Sequence, residues 1–191
     1  IALGSQEVSL MELVQVYSVF ANRGRRVEPH LIQSVTDSRG ETLYARPQYD
    51  APRVYPAELA RDITAMLSRV VYEGTGARAK VSNWQVAGKT GTSQDWRDAW
   101  FVGYSSSLVG GIWVGNDNDS PMDEVAGGGL PAQIWSTMMI IAHEDLDPSP
   151  LEGAQQVKVS AAAQERIDYY RKLSSAFRTL EAEAPDPPSQ R

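Results

Sequence analysis

The residues best placed to do chemistry form one string, Val86-Ala87-Gly88-Lys89-Thr90-Gly91-Thr92. Two chemistries use such a string. A phosphate-binding loop, G-x-x-x-x-G-K-[ST], cradles phosphate in backbone amides and opens a helix. Gly88-Lys89-Thr90 supplies its second half, but the first glycine should stand at position 83, where the chain has Asn83. Gly91 follows at once, then a polar turn and another strand-like run, so the helix is missing. The other chemistry needs an extended strand. Period-two alternation puts Thr90 and Thr92 on one face, where two hydroxyls can bind a substrate carboxylate. Lys89 adds positive charge, and Gly91 removes a side chain where a substrate backbone must approach. The strand edge offers the Thr92 N–H to a developing oxyanion. Trp96, just past this strand, is positioned to line a substrate groove. The residues favour the strand.

The other candidates read more plainly. A lysine on a strand is, taken alone, more often a solvated edge charge than a site residue. Asp95, Arg97 and Asp98 read as a turn with local charge pairing rather than an acid/base pair. Asn116, Asp117, Asn118 and Asp119 lack the glycine and distal glutamate of a calcium loop. His30 and His143 are too isolated in sequence for a triad or a metal site. With no cysteine in the chain, thiolate nucleophiles, disulfides and Cys-ligated zinc are excluded. No metal and no cofactor is expected. Trp84, Trp100, Trp113 and Trp135 read as core or hairpin packing.

The elements that must hold this strand are legible in outline. Ser9-Leu10-Met11-Glu12 fits a capping box, and Leu10, Leu13, Val14, Tyr17, Phe20 and Ala21 continue it as an apolar stripe. Gly24 stops that helix at its C-cap. A hairpin follows, Leu31 to Thr36 and Glu41 to Ala45, turned by Asp37-Ser38-Arg39-Gly40. A second helix starts near Pro56 with Leu59, Ile63, Met66, Leu67, Val70 and Val71 as its apolar stripe, and Gly74-Thr75-Gly76 ends it. Trp84 to Thr92, Asp98 to Tyr104 and Leu108 to Gly115 then read as strands, the last two as a hairpin. Bulky residues on both faces predict a sheet covered on both sides. Pro131 opens a third helix through about His143. Helices from both halves of the chain around these strands predict one α/β domain with an antiparallel sheet. The domain is expected over 1–146. Beyond it, 147–191 reads as a polar, partly helical tail.

Composition narrows the function classes. The chain has 191 residues, 42% hydrophobic and 22% charged, which fits one ordinary globular domain. A formal net charge of -6 and the lack of any basic run argue against a nucleic-acid partner. The longest apolar stretch, Trp135 to Ala142, falls far short of the roughly 20 residues that span a bilayer.

The strand carries the K-T-G element of penicillin-interacting serine enzymes, and its context extends the likeness. Gly88 to Tyr104, with the continuation Leu108 to Asp119, resembles the corresponding stretch of class A penicillin-binding proteins. So do Ala2 to Val8, Tyr17 to Gly24, Gly74-Thr75-Gly76-Ala77, and Gly127-Gly128-Gly129 with the helix at Pro131. The resemblance covers about residues 1 to 145. It implies part of a penicillin-binding/β-lactamase-like serine transpeptidase domain, an antiparallel sheet flanked by helices. In that family a serine attacks the penultimate D-Ala carbonyl of a peptidoglycan stem peptide, and the amine of a second stem resolves the acyl-enzyme. Penicillins acylate the same serine.

By position, the resemblance makes Lys89 a polarising and ordering group and gives Thr90 and Thr92 the substrate or β-lactam carboxylate. It makes the Thr92 N–H one of two oxyanion donors. The departure lies in the nucleophile. The residues three before Lys80, Lys89, Lys158 and Lys172 are Ala77, Val86, Gln155 and Tyr169, so no Ser-x-x-Lys exists. The residues two before Asn22, Asn83, Asn116 and Asn118 are Phe20, Val81, Val114 and Asn116, so no Ser-x-Asn exists either. The chain therefore reads as the C-terminal portion of a transpeptidase domain, inert alone and active only with the missing N-terminal portion, linked or as a second chain. Its partners would be stem peptides and β-lactams. The work would lie outside the cytoplasmic membrane, on the periplasmic side, in a membrane-anchored parent. Two alternatives stand beside this: a D,D-carboxypeptidase or β-lactamase-like hydrolase, and a non-catalytic binding module acting through the tail.

Overall fold

The structure, a computed structural model, describes residues 7–154. Helix α1 (Leu10–Ala21) starts at the capping box. The Glu12 N–H donates to Ser9 Oγ at 3.3 Å and the Ser9 N–H to the Glu12 carboxylate at 2.8 Å. Its end differs slightly from expectation. The Gly24 N–H reaches back to the Val19 carbonyl and the Arg23 N–H to that of Phe20, the paired bonds of a Schellman motif. Arg23, at φ 52°, therefore takes the left-handed C′ position, and Gly24 follows it at φ 83°.

The small sheet pairs β1 (Ser34–Thr36) with β2 (Thr42–Ala45) in antiparallel register around the Asp37–Gly40 turn. Helix α2 (Ala57–Tyr72) follows, with Pro56 as its N-cap rather than inside its first turn. Its buried face corrects the sequence reading. Ala60, Thr64, Ser68 and Val71 are buried, whereas Leu59 is 47% and Met66 58% exposed. Small residues at those positions let the helix backbone approach the sheet closely, and size decides here over hydropathy. The Tyr104 hydroxyl donates to Thr64 Oγ1 at 2.8 Å, and Thr64 in turn donates to the Ala60 carbonyl. Burial pushes the Tyr104 phenol up to about 12.

The main sheet has order β3-β4-β5, all antiparallel: β3 (Ala87–Thr92), β4 (Asp98–Tyr104) and β5 (Val109–Gly115). The first strand starts later than expected, at Ala87, because β4 ends at its partner Tyr104, and the Trp84 carbonyl and Val86 N–H bond to the Tyr72 hydroxyl instead. Both sheet faces are covered, as the bulky residues predict. On one face α1 lies close against β5, where a Cβ on Gly111 would press on Leu10 and Val14. On the other lies α3 (Leu130–Ala142), whose Trp135 and Met138 would meet a Cβ on Gly110. The larger core joins Phe101 to Trp135, ring centroids 5.1 Å apart, with Val71, Val86, Trp84 and Met139 around them. The smaller one gathers Tyr104, Ala87 and Leu151 with Tyr17, Phe20 and Leu67.

Leu151 moves the expected domain boundary. It is only 6% exposed, its N–H donates to Gln85 Oε1, and Ser149 bonds Ser106 beside it. The compact unit accordingly runs to Gln156, past the boundary at 146. The rest of the expected tail lies outside the described residues.

Candidate active site

β3 is an edge strand whose only partner among the described residues is β4. Their register pairs Lys89 with Val102, Thr90 with Phe101, Gly91 with Trp100 and Thr92 with Ala99. Just past the strand the Ser93 N–H donates to the Asp98 carbonyl at 2.9 Å. Antiparallel pairs alternate between bonded and non-bonded. Gly91 and Lys89 therefore bond inward to β4, while Thr90 and Thr92 turn their N–H and C=O toward the open edge. No phosphate loop forms here, because the chain stays extended through Thr92 and only the single 3-10 turn Gln94–Trp96 follows, not an α-helix opening at Lys89.

The side chains gather on the same edge. The Lys89 ammonium donates to the Thr90 carbonyl at 2.8 Å and lies 3.3 Å from Thr90 Oγ1. Among the described residues it has no carboxylate within ion-pair distance. Thr90 Oγ1 sits 2.9 Å from Thr75 Oγ1. Thr92 Oγ1 accepts the Gly127 N–H at 3.0 Å. A cation, two hydroxyls and an outward N–H thus line one strand edge. This set suits an anionic group and a neighbouring carbonyl oxygen that gains charge.

Trp96 stands on the β3–β4 connection, 42% exposed, in a left-handed backbone at φ 52° beside Asp95 at φ 57°. The loop that follows β5 fixes that connection. Its Met122 N–H donates to the Trp96 carbonyl, and Asp119 pairs with Arg97 at 3.1 Å. The charge pairing expected within the turn is therefore made across it. Asp98 accepts the Trp113 indole N–H at 2.8 Å, and Trp113 packs on Trp100. Asn116 and Asn118 spend their side chains on the loop itself, around Ser120 and Pro121.

Two features went unread in the sequence. Thr75 and Gly127 touch the β3 hydroxyls; their segments, Gly74-Thr75-Gly76-Ala77 and Gly127-Gly128-Gly129, entered the sequence reading only as part of the resemblance and not as site residues. Ser105 and His143, far apart in sequence, meet at 2.8 Å.

Comparison with known proteins places the chain in a family. Residues 1–139 match the family model of the penicillin binding protein transpeptidase domain. The chain is 38% identical over 156 residues to penicillin-binding protein 1A of Aquifex aeolicus, covering 78% of this chain and 21% of that protein. Penicillin-binding protein 4 of Bacillus subtilis is 32% identical over 133 residues, covering 70% of this chain and again 21% of the relative. The chain thus spans about a fifth of these relatives' length. Among solved structures, PonA1 of Mycobacterium tuberculosis in complex with penicillin V superposes with a TM-score of 0.70 at 26% identity, covering 81% of this chain and 43% of that one. Penicillin-binding protein 1A of Haemophilus influenzae gives 0.68 at 28%, covering 78% and 28%. The chain belongs to the penicillin-binding protein transpeptidase domain family.

Proposed function

We propose that this chain forms one wall of the active site of a peptidoglycan D,D-transpeptidase. The carrying observation is the β3 edge, where the Thr92 N–H points outward beside Lys89 and the Thr90 and Thr92 hydroxyls. The stem peptide's terminal carboxylate would bind the two hydroxyls, with the Lys89 charge nearby. Its peptide backbone would run along the edge at Gly91, with Trp96 flanking the groove. A serine oxygen then attacks the penultimate D-Ala carbonyl. The Thr92 N–H stabilises the oxyanion, the terminal D-Ala leaves with a proton on its nitrogen, and a second stem's amine resolves the ester into the cross-link. A β-lactam enters by the same contacts, its ring amide opening onto the serine.

The serine has to come from polypeptide outside these 191 residues, since the sequence holds no Ser-x-x-Lys. The proposed partner is the N-terminal part of the same domain, linked or separate, in a membrane-anchored parent working on the periplasmic face. No step of the reaction calls for a metal or cofactor. Among the described residues no helix is long and apolar enough to cross a membrane.

Intact mass spectrometry after exposure to labelled penicillin tests the reading. The isolated chain is expected to stay unmodified, while a nucleophile-bearing partner, present or linked, gains the adduct. A covalent adduct on this chain alone would overturn it.

A further inference from the structure

Two loops converge on the hydroxyls of β3, and the proposed reaction does not by itself require either. After α2, Thr75 places its Oγ1 2.9 Å from Thr90 Oγ1. Ahead of α3, Gly127 donates its N–H to Thr92 Oγ1 at 3.0 Å. The loops also lie against β3 and against each other. A Cβ on Gly127 would run into the Gly91 and Trp100 carbonyls, and one on Gly128 into the Thr75 carbonyl. Only glycine lets the backbone come this close.

A hydroxyl has one proton to give and two lone pairs to receive with. On Thr92 the Gly127 N–H fills one lone pair. On Thr90 the Lys89 ammonium, which can only donate, fills one from 3.3 Å, and the other is filled when Thr75 is the donor of the 2.9 Å bond, a direction the geometry leaves open to either hydroxyl. With Thr75 as the donor, Thr90 has only its own proton to offer outward, while Thr92 keeps its proton and one lone pair, so together they are matched to an acceptor. We infer that Thr75 and the Gly127–Gly129 loop are positioning elements that hold Thr90 and Thr92 as paired outward donors, selecting a carboxylate over its amide. This rests on the reading of β3 as the carboxylate wall.

The test uses the 191-residue chain, ¹⁵N-labelled, titrated in parallel with N-acetyl-D-alanyl-D-alanine and with its C-terminal amide. Amide shifts at Thr90 and Thr92 report binding, and heteronuclear couplings report the Thr90 χ1 rotamer. Wild type is expected to prefer the carboxylate and to hold one rotamer. Thr75→Val, exposed and close to isosteric, is expected to average the rotamer, weaken the carboxylate about five-fold and erase the preference, the size of one net hydrogen bond. Thr75→Ser restores all three. If Thr75→Val keeps the rotamer and the preference while wild type responds, the positioning role is wrong and the carboxylate wall stands. If wild type shows no carboxylate-dependent shift at Thr90 or Thr92, the wall itself fails and the positioning role falls with it.

Discussion

Ser105 Oγ receives two backbone donors, the N–H groups of Ser107 and Leu108, each at 3.1 Å. Its lone pairs are filled, so its proton goes to His143 Nε2 at 2.8 Å. The other ring nitrogen, Nδ1, lies 2.6 Å from the Met139 carbonyl and must carry a proton. The geometry thus fixes one neutral tautomer, with the ring lying tilted by 47° against Trp84, centroids 3.9 Å apart. A serine paired with a histidine invites a catalytic reading, but Ser105 is 1% and His143 4% exposed, so no substrate reaches them. The pair instead locks the β4–β5 turn to the end of α3. A helix C-terminus favours a cation, yet burial outweighs it and holds the imidazole below the usual histidine value, the Met139 bond opposing only in part. Protonation at Nε2 would aim a third donor at a saturated oxygen. The unfolded chain takes up this proton near pH 6.5 while the native state resists it, so stability must rise with pH across that window. Urea midpoints are expected to fall as pH drops from about 7 to 5 in wild type and to stay flatter in His143→Gln. Equal slopes in the two proteins would mean that another group titrates.

At the scale of elements, the strap after α3 makes the sharpest prediction. Leu151 fills the smaller core between α1, α2 and β4, so Leu151→Ala is expected to cost about 2–5 kcal/mol in denaturant unfolding. Truncation after Leu146 should cost at least as much as the point change. A full-strength Leu146 truncation would return the strap to the tail. The sequence hid this because Asp147-Pro148-Ser149-Pro150 reads as the end of order, and a single leucine carries no period. What periodicity could show, it showed: α1 with its capping box, the three strands around Lys89 to Thr92, and α3. It misplaced the buried face of α2, where Ala60, Thr64 and Ser68 matter for being small and Leu59 and Met66 face outward. The strand bearing the candidate site was legible because alternation and glycine spacing are local. Thr75, Gly127 and the Ser105–His143 pair were not, because only the folded chain brings them to their partners.

On the molecular scale, α1 and α3 are apolar nearly all round, the pattern of helices enclosed in a larger structure. Here each is covered on one side only. Val8, just ahead of α1, and Met11 and Val16 on it are exposed, as are Ile134, Met138 and Ile141 on α3. These two helices lie on opposite faces of the sheet beside β5, whose outer edge has no strand partner among the described residues. An unpaired edge flanked by apolar helices is a surface that polypeptide must cover or that will find another copy. A net charge of -6 favours solubility without hiding that surface. The isolated chain is therefore expected to bind a hydrophobic dye and to sediment above monomer mass as concentration rises. The triple variant Met11→Gln, Ile134→Gln, Ile141→Gln should lower both signals with stability kept within about 1.5 kcal/mol, since exposed changes usually cost no more than about 0.5 each. Adding the nucleophile-bearing polypeptide proposed above should abolish the dye signal in wild type. Dye binding that persists unchanged in the triple variant would show that these helices are not the sticky surface. A cooperative loss of folding in it would show that they already serve a core of the chain's own.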